Sequence, residues 1–228
     1  MDSDVLTTGK GPVANLAARR AAGQIHSDPV QEKVVLRLQA VHDQLAALAA
    51  HPAKSGFWSR LGQGLGVGGA PKPPAGPHGL YIWGPVGRGK SMLMDLFFAD
   101  APVAKKRRVH FNEFMLEVHE RLHRRREELA ARGAPPEDDT IVPIARAVAA
   151  EARLLCFDEF QVTNIADAMI LARFFEVLFD EGVTVISTSN RAPDDLYKNG
   201  LQRDRFLPFI RSEEHTSELQ SHSFISYA

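Results

Sequence analysis

Gly84-Pro85-Val86-Gly87-Arg88-Gly89-Lys90-Ser91 fits the pattern G-x-x-x-x-G-K-[ST], a spacing that suits a backbone wrapped around phosphate groups. Glycine has no Cβ, so the chain at these positions can approach an anion closely. Main-chain N–H groups at the start of a following helix point at the same anion. In that arrangement Lys90 reaches the β- and γ-phosphates of a nucleoside triphosphate and Ser91 offers its hydroxyl to Mg²⁺, while Met92 carries the cradle into the helix. A second chemical group is Asp158-Glu159, which ends the apolar run Leu154-Leu155-Cys156-Phe157. Asp158 suits an Mg²⁺ ion held directly or through water. Glu159 suits a general base for an attacking water; the same acidic pair could instead cap the next helix. Asn190 ends the run Val183-Thr184-Val185-Ile186-Ser187-Thr188-Ser189 and could hydrogen-bond the γ-phosphate or the water, or simply occupy a turn. In Gln202-Arg203-Asp204-Arg205-Phe206, Arg205 could stabilise charge on a neighbouring subunit's nucleotide. Arg203 is the second choice there, and surface salt bridging is the alternative for both.

These groups need elements to position them. The apolar run Leu80-Tyr81-Ile82-Trp83 before the glycine-rich loop reads as a strand, and Met92-Leu93-Met94-Asp95-Leu96-Phe97-Phe98 after it reads as a helix. Strands are expected over 80–83, 108–111, 153–157 and 183–187, with helices over 90–98, 112–131, 140–151 and 164–181. Such alternation marks an α/β domain with a mostly parallel sheet, in which the carboxyl ends of the strands bring the glycine-rich loop and the two acids to one edge. The run at 183–187 is expected to lie between the first and third strands.

Ahead of this core, Asp28, Pro29 and Gln31 form a capping-box-like start. Val34, Leu38, Val41, Leu45 and Leu48 then recur at helical spacing, so residues 28–50 should form a helix docked on the core. Residues 1–27 are expected to be flexible. Residues 51–78, rich in glycine and proline, read as a loop, with Phe57-Trp58-Ser59-Arg60-Leu61 as an apolar knot that packs back on the domain, or alternatively meets a membrane surface or a partner. The basic clusters Lys105–Arg108 and Arg124–Arg126 read as a solvated strand entrance and a solvated helix face.

Composition sets the class. The 228 residues suffice for one full-sized domain, and 44% hydrophobic content supports an ordinary globular core. A formal net charge of −1 provides no global attraction for nucleic acid, so none is expected as a partner. The single cysteine excludes an intrachain disulfide and suits a reducing compartment, and Cys156 sits in an apolar run that makes it a buried small side chain. No apolar run has the length of a membrane span, and no secretory signal opens the chain, so the cytoplasm is the expected location.

Taken together, these motifs resemble the AAA+ ATPases, and more closely the AFG-type family within them, which has bacterial cell-division and mitochondrial lactation-elevated members. The resemblance rests on the stretch from Gly79 to Ser91, on Phe114-Met115-Leu116-Glu117-Val118-His119-Glu120-Arg121-Leu122-His123, and on Leu155-Cys156-Phe157-Asp158-Glu159-Phe160-Gln161-Val162. Ser189-Asn190-Arg191 and Asp195-Leu196-Tyr197-Lys198-Asn199-Gly200-Leu201-Gln202-Arg203 complete it. Ser91 in place of the commoner threonine and Asn112-Glu113 before Phe114 are small departures. The resemblance implies a P-loop three-layer α/β/α fold with strand order 5-1-4-3-2, ATP and Mg²⁺ as cofactors, and a homo-oligomeric ring that remodels or regulates protein substrates. For a bacterial member it implies an FtsZ-like division polymer as a target and peripheral association with the inner membrane. It also raises Phe114 as a pore residue, although Phe114, Val118 and Leu122 form a helical stripe that favours core packing. A nucleotide-gated scaffold with slow hydrolysis and a DNA-associated helicase loader are the competing readings.

The stretch 211–228 breaks the pattern. Arg211-Ser212-Glu213-Glu214-His215-Thr216-Ser217-Glu218-Leu219-Gln220-Ser221-His222 has no apolar period and resembles a translated sequencing adapter, so it is set aside as a non-native tail. The nucleotide-binding core is accordingly placed at 79–210. The fifth strand and helical lid that the resemblance implies are expected to be missing.

Overall fold

The computed structural model describes residues 11–50, 77, 79–135, 139–162 and 164–196. Strands β1 (Gly79–Trp83), β2 (Lys106–His110), β3 (Leu154–Asp158) and β4 (Thr184–Ser189) form one sheet in the order β1-β4-β3-β2, every pair parallel. β4 thus lies between the first and third strands, in agreement with the strand order that the resemblance implies. β3 and β4 are buried at every position, the mark of parallel strands covered on both faces. Side chains alternate along β3: Leu154 and Cys156 enter one core, Leu155 and Phe157 the other. Burial inside this strand pushes the Cys156 thiol up to about 12.

Helices α1 (Pro12–Ala21), α2 (Pro29–Ala50) and α3 (Lys90–Asp100) pack on the Cys156 side. Helices α4 (Phe111–Ala131), α5 (Ile141–Glu151) and α6 (Ile165–Asp180) cover the Phe157 side. The result is a three-layer α/β/α architecture with the carboxyl ends of the strands free to carry chemistry. Among the described residues β1 pairs with β4 alone and is an edge strand. No helix among them is long and apolar enough to cross a membrane.

Among the described residues, one amino-terminal stretch is helical where its sequence suggests flexibility. Residues 1–27 read as flexible, yet α1 occupies residues 12–21, with Pro12 at its first turn and Leu16 buried against α2 and α3. The expectation overlooked contacts that only the fold supplies: Leu16 packs between the other two helices, and Arg20 pairs with Glu32 of α2 at 2.6 Å. α2 begins as expected, with the Asp28 carboxylate accepting from the Val30 N–H at 2.9 Å. Gln31 does not close a capping box. Its amide instead donates to the Arg88 carbonyl at 3.2 Å, tying α2 to the glycine-rich loop.

The basic cluster at the start of β2 is not simply solvated, because the strand's alternation sends its members to two faces. The Lys106 ammonium donates to the carbonyls of Phe98, Ala99 and Ala101 at 2.7, 3.2 and 3.3 Å, closing the carboxyl end of α3. Arg107 points the other way, pairing with Glu117 and lying over the Phe114 ring. Arg108 turns back toward α3, where it pairs with Asp95. The second cluster does hold to a solvated reading at Arg124, which pairs loosely with Glu120 on an exposed face.

Phe114 is wholly buried, with its ring 4.7 Å from that of Phe157 and 5.7 Å from that of Phe174. It is a core residue and cannot grip a polypeptide in a pore. Phe114→Ala should lower unfolding free energy by about 3–5 kcal/mol, the cost of deleting a buried ring and leaving a cavity. Urea unfolding followed by circular dichroism measures this, and a loss under about 1 kcal/mol would contradict the packing. The apolar knot at 57–61, Arg203, Arg205 and the tail from residue 211 lie outside the described residues.

Candidate active site

The glycine-rich loop connects the end of β1 to the start of α3, and its conformation requires its residue types. Gly87 and Gly89 both have φ of 81°, in the left-handed region where a Cβ is penalised. Gly89 is also the residue before α3, and no side chain caps that helix. Its first N–H groups therefore face the loop as donors for an anion. Lys90 lies in the first turn and is buried to 8% exposure. Its ammonium donates to the carbonyls of Gly84 at 2.8 Å and Pro85 at 2.7 Å. Burial holds it below the ordinary lysine value. A cation kept by main-chain oxygens at the mouth of an anion cradle can exchange those oxygens for phosphate.

The acidic turn after β3 is held from the side. Glu159 has φ of 56° and is the one non-glycine residue with positive φ among those described. Backbone of this kind persists only where its surroundings impose it. Here β4 does so: the Thr188 hydroxyl accepts from the Glu159 N–H at 3.3 Å, and the Thr188 carbonyl accepts from the Phe160 N–H at 2.7 Å. The Ser189 hydroxyl donates to the Phe160 carbonyl at 2.7 Å. Phe160 is itself fixed among aromatic rings, 4.3 Å from Phe111 and 5.9 Å from Tyr81. With the main chain clamped on both sides, the exposed Glu159 carboxylate is directed by backbone geometry.

These parts meet in a cleft of about 350 Å³ lined by Val86, Gly87, Arg88, Gly89, Lys90, Ser91, Met92, Glu159, Thr188, Ser189 and Asn190, large enough for a small-molecule ligand. All the expected loop residues from Val86 to Met92 share it with Glu159 and Asn190. Gly84 and Pro85 contribute through the carbonyls that hold Lys90. Asp158 is the exception. Its side chain is nearly buried and turned toward β2, where Arg108 Nε donates to Oδ2 at 2.7 Å and Nη2 to Oδ1 at 3.2 Å. Among the described residues no group of three or more His, Cys, Asp or Glu side chains is placed to hold a metal ion by itself. The donors present, a serine hydroxyl and one carboxylate, are hard oxygens of the kind Mg²⁺ uses when substrate phosphates complete its coordination.

Thr188, Ser189 and Arg108 escaped the sequence reading. The first two belong to β4, which runs two residues further than expected because its polar end is buried by hydrogen bonds to the acidic turn. Alternation in Lys106-Arg107-Arg108 is the signal that could have separated Arg108 from its neighbours.

A family model described as "AFG1-like ATPase" matches residues 10–222. The chain belongs to that family. It is 55% identical over 139 residues to lactation elevated protein 1 homolog B of Danio rerio, covering 60% of this chain and 28% of that protein. It is 43% identical over 189 residues to the cell division protein ZapE of Escherichia coli K12, covering 82% of this chain and 48% of that one. The chain therefore spans less than half the length of these relatives. Among solved structures, DnaI is similar in fold alone, with a TM-score of 0.51 and 13% identity over 91% of this chain and 89% of that one. The match to this family accompanies a cleft whose loop, acid and asparagine come from three different strand ends.

Proposed function

We propose that this chain is the nucleotide-hydrolysing part of an oligomeric, Mg²⁺-dependent ATPase that acts on partner proteins. The observation that carries the reading is that Lys90 and Glu159 line one cleft, so a cationic phosphate ligand and a general base face the same small molecule. Residues Gly84 to Met92 cradle the triphosphate, with Lys90 on the β- and γ-phosphates. Ser91 and Asp158 would hold Mg²⁺, which when bound supplies charge neutralisation for the transferred phosphoryl group. Glu159 accepts a proton from the attacking water, and Asn190 hydrogen-bonds the γ-phosphate or that water. Arg205 acts on the nucleotide of an adjacent subunit.

The resemblance to the cell division protein ZapE supports a ZapE-like role in cell division, with an FtsZ-like polymer as target, in the cytoplasm at the inner membrane. Phosphate release measured together with oligomer size in subunits of the relatives' full length tests the core of this reading. Turnover should require Mg²⁺ and rise with assembly. Arg205→Ala should slow turnover while leaving nucleotide affinity intact, and an unchanged rate in the assembled state would remove Arg205 from the mechanism. Absence of Mg²⁺-dependent phosphate release in the assembled protein would overturn the ATPase reading itself.

A further inference from the structure

Arg108 stands on β2 beside Cys156 of β3 in register, so its side chain starts on the face that α3 covers. From there it runs toward the carboxyl end of the sheet and meets Asp158, two residues beyond its own partner in the ladder. Both carboxylate oxygens of Asp158 accept from it, Oδ2 from Nε at 2.7 Å and Oδ1 from Nη2 at 3.2 Å. The third arm of the guanidinium, Nη1, donates to Asp95. Asp95 lies on α3 four residues after Ser91, on the same side of that helix. One planar cation therefore spans from the helix that begins at the phosphate loop to the acid at the end of β3.

We propose that Arg108 is a positioning residue for Asp158, setting the orientation in which that carboxylate serves Mg²⁺; this rests on the ATPase reading above. A planar fork that engages both oxygens fixes the rotation of the carboxylate plane, which a single ammonium cannot do. Arg108 also brings a positive charge close to a cation site, which by itself would oppose Mg²⁺. Asp95 on the other side of the guanidinium offsets that charge, so orientation is the larger effect. Loss of the fork frees Asp158 to rotate and weakens the site for Mg²⁺.

The test uses a fluorescent ADP analogue bound to the full chain, titrated in EDTA and at rising Mg²⁺. Wild-type protein should bind more tightly as Mg²⁺ rises. In Arg108→Met the half-saturating Mg²⁺ should increase about tenfold, the size expected when a hydrogen-bonded support of a metal ligand is removed. Affinity in EDTA should stay the same. Arg108→Lys keeps the charge without the fork and should not restore the wild-type Mg²⁺ requirement. Asp95→Asn loosens the far end of the guanidinium and should shift the requirement in the same direction by less. Should Arg108→Met fail to fold by circular dichroism, the lysine and Asp95 variants carry the comparison alone. An unchanged Mg²⁺ requirement in the folded variants would reduce Arg108 to a structural ion pair. A lowered requirement would make its charge an opponent of the metal. Either result overturns the proposal, and neither touches the ATPase reading, which fails if the assembled wild-type protein shows no Mg²⁺-dependent phosphate release.

Discussion

Full-length subunits carrying Glu159→Gln should hydrolyse ATP about 10²–10⁴-fold more slowly, the contribution expected of a positioned general base, while still binding the nucleotide. The amide keeps the size and hydrogen-bonding reach of the carboxylate but cannot accept a proton at neutral pH. The backbone at position 159 is set by Thr188, Ser189 and Phe160 through main-chain and hydroxyl contacts, so the substitution leaves the turn intact. Single-turnover hydrolysis beside equilibrium binding separates the two quantities. Hydrolysis within a few-fold of wild type would show that Glu159 is not the base. The same variant also distinguishes a remodelling enzyme, which should stall, from a nucleotide-gated scaffold, which should stay active when held with ATP.

Lys90→Ala should have the other large effect, and on a different quantity. Here binding falls as well as turnover, because the ammonium meets the phosphates in the ground state and in the transition state. Removing one such charged donor costs about 10²–10³ in rate. The Gly84 and Pro85 carbonyls lose their donor at the same time. Thermal unfolding without nucleotide should therefore show a loss of about 1–3 kcal/mol. Glu159→Gln keeps nucleotide affinity and Lys90→Ala does not; the reverse pattern would contradict the roles assigned to both groups.

That the loop, Glu159 and Asn190 meet at one cleft was legible, because each is a short local pattern at a strand end and a parallel sheet brings strand ends to one edge; that Asp158 turns toward Arg108 was not. The order β1-β4-β3-β2 followed from the resemblance and not from periodicity. Arg108 was hidden for a physical reason: its partner lies 50 residues away, and only the ladder register between β2 and β3 brings them together. The strand β4 was expected to end at residue 187 because the polar Thr188 and Ser189 have no visible reason to be buried until their partners, Glu159 and Phe160, are known. α1 was overlooked because its burial depends on α2 and α3, which a stretch with Leu16 as its main apolar anchor does not announce.

The lone thiol of this protein, sealed inside the central strand, has a practical consequence. Maleimide dyes or spin labels attached at newly introduced cysteines on the cleft rim would report from those positions alone, since Cys156 is fully covered and its thiol is pushed up to about 12. Distance changes across the cleft during turnover can thus be followed without first removing the natural sulfur.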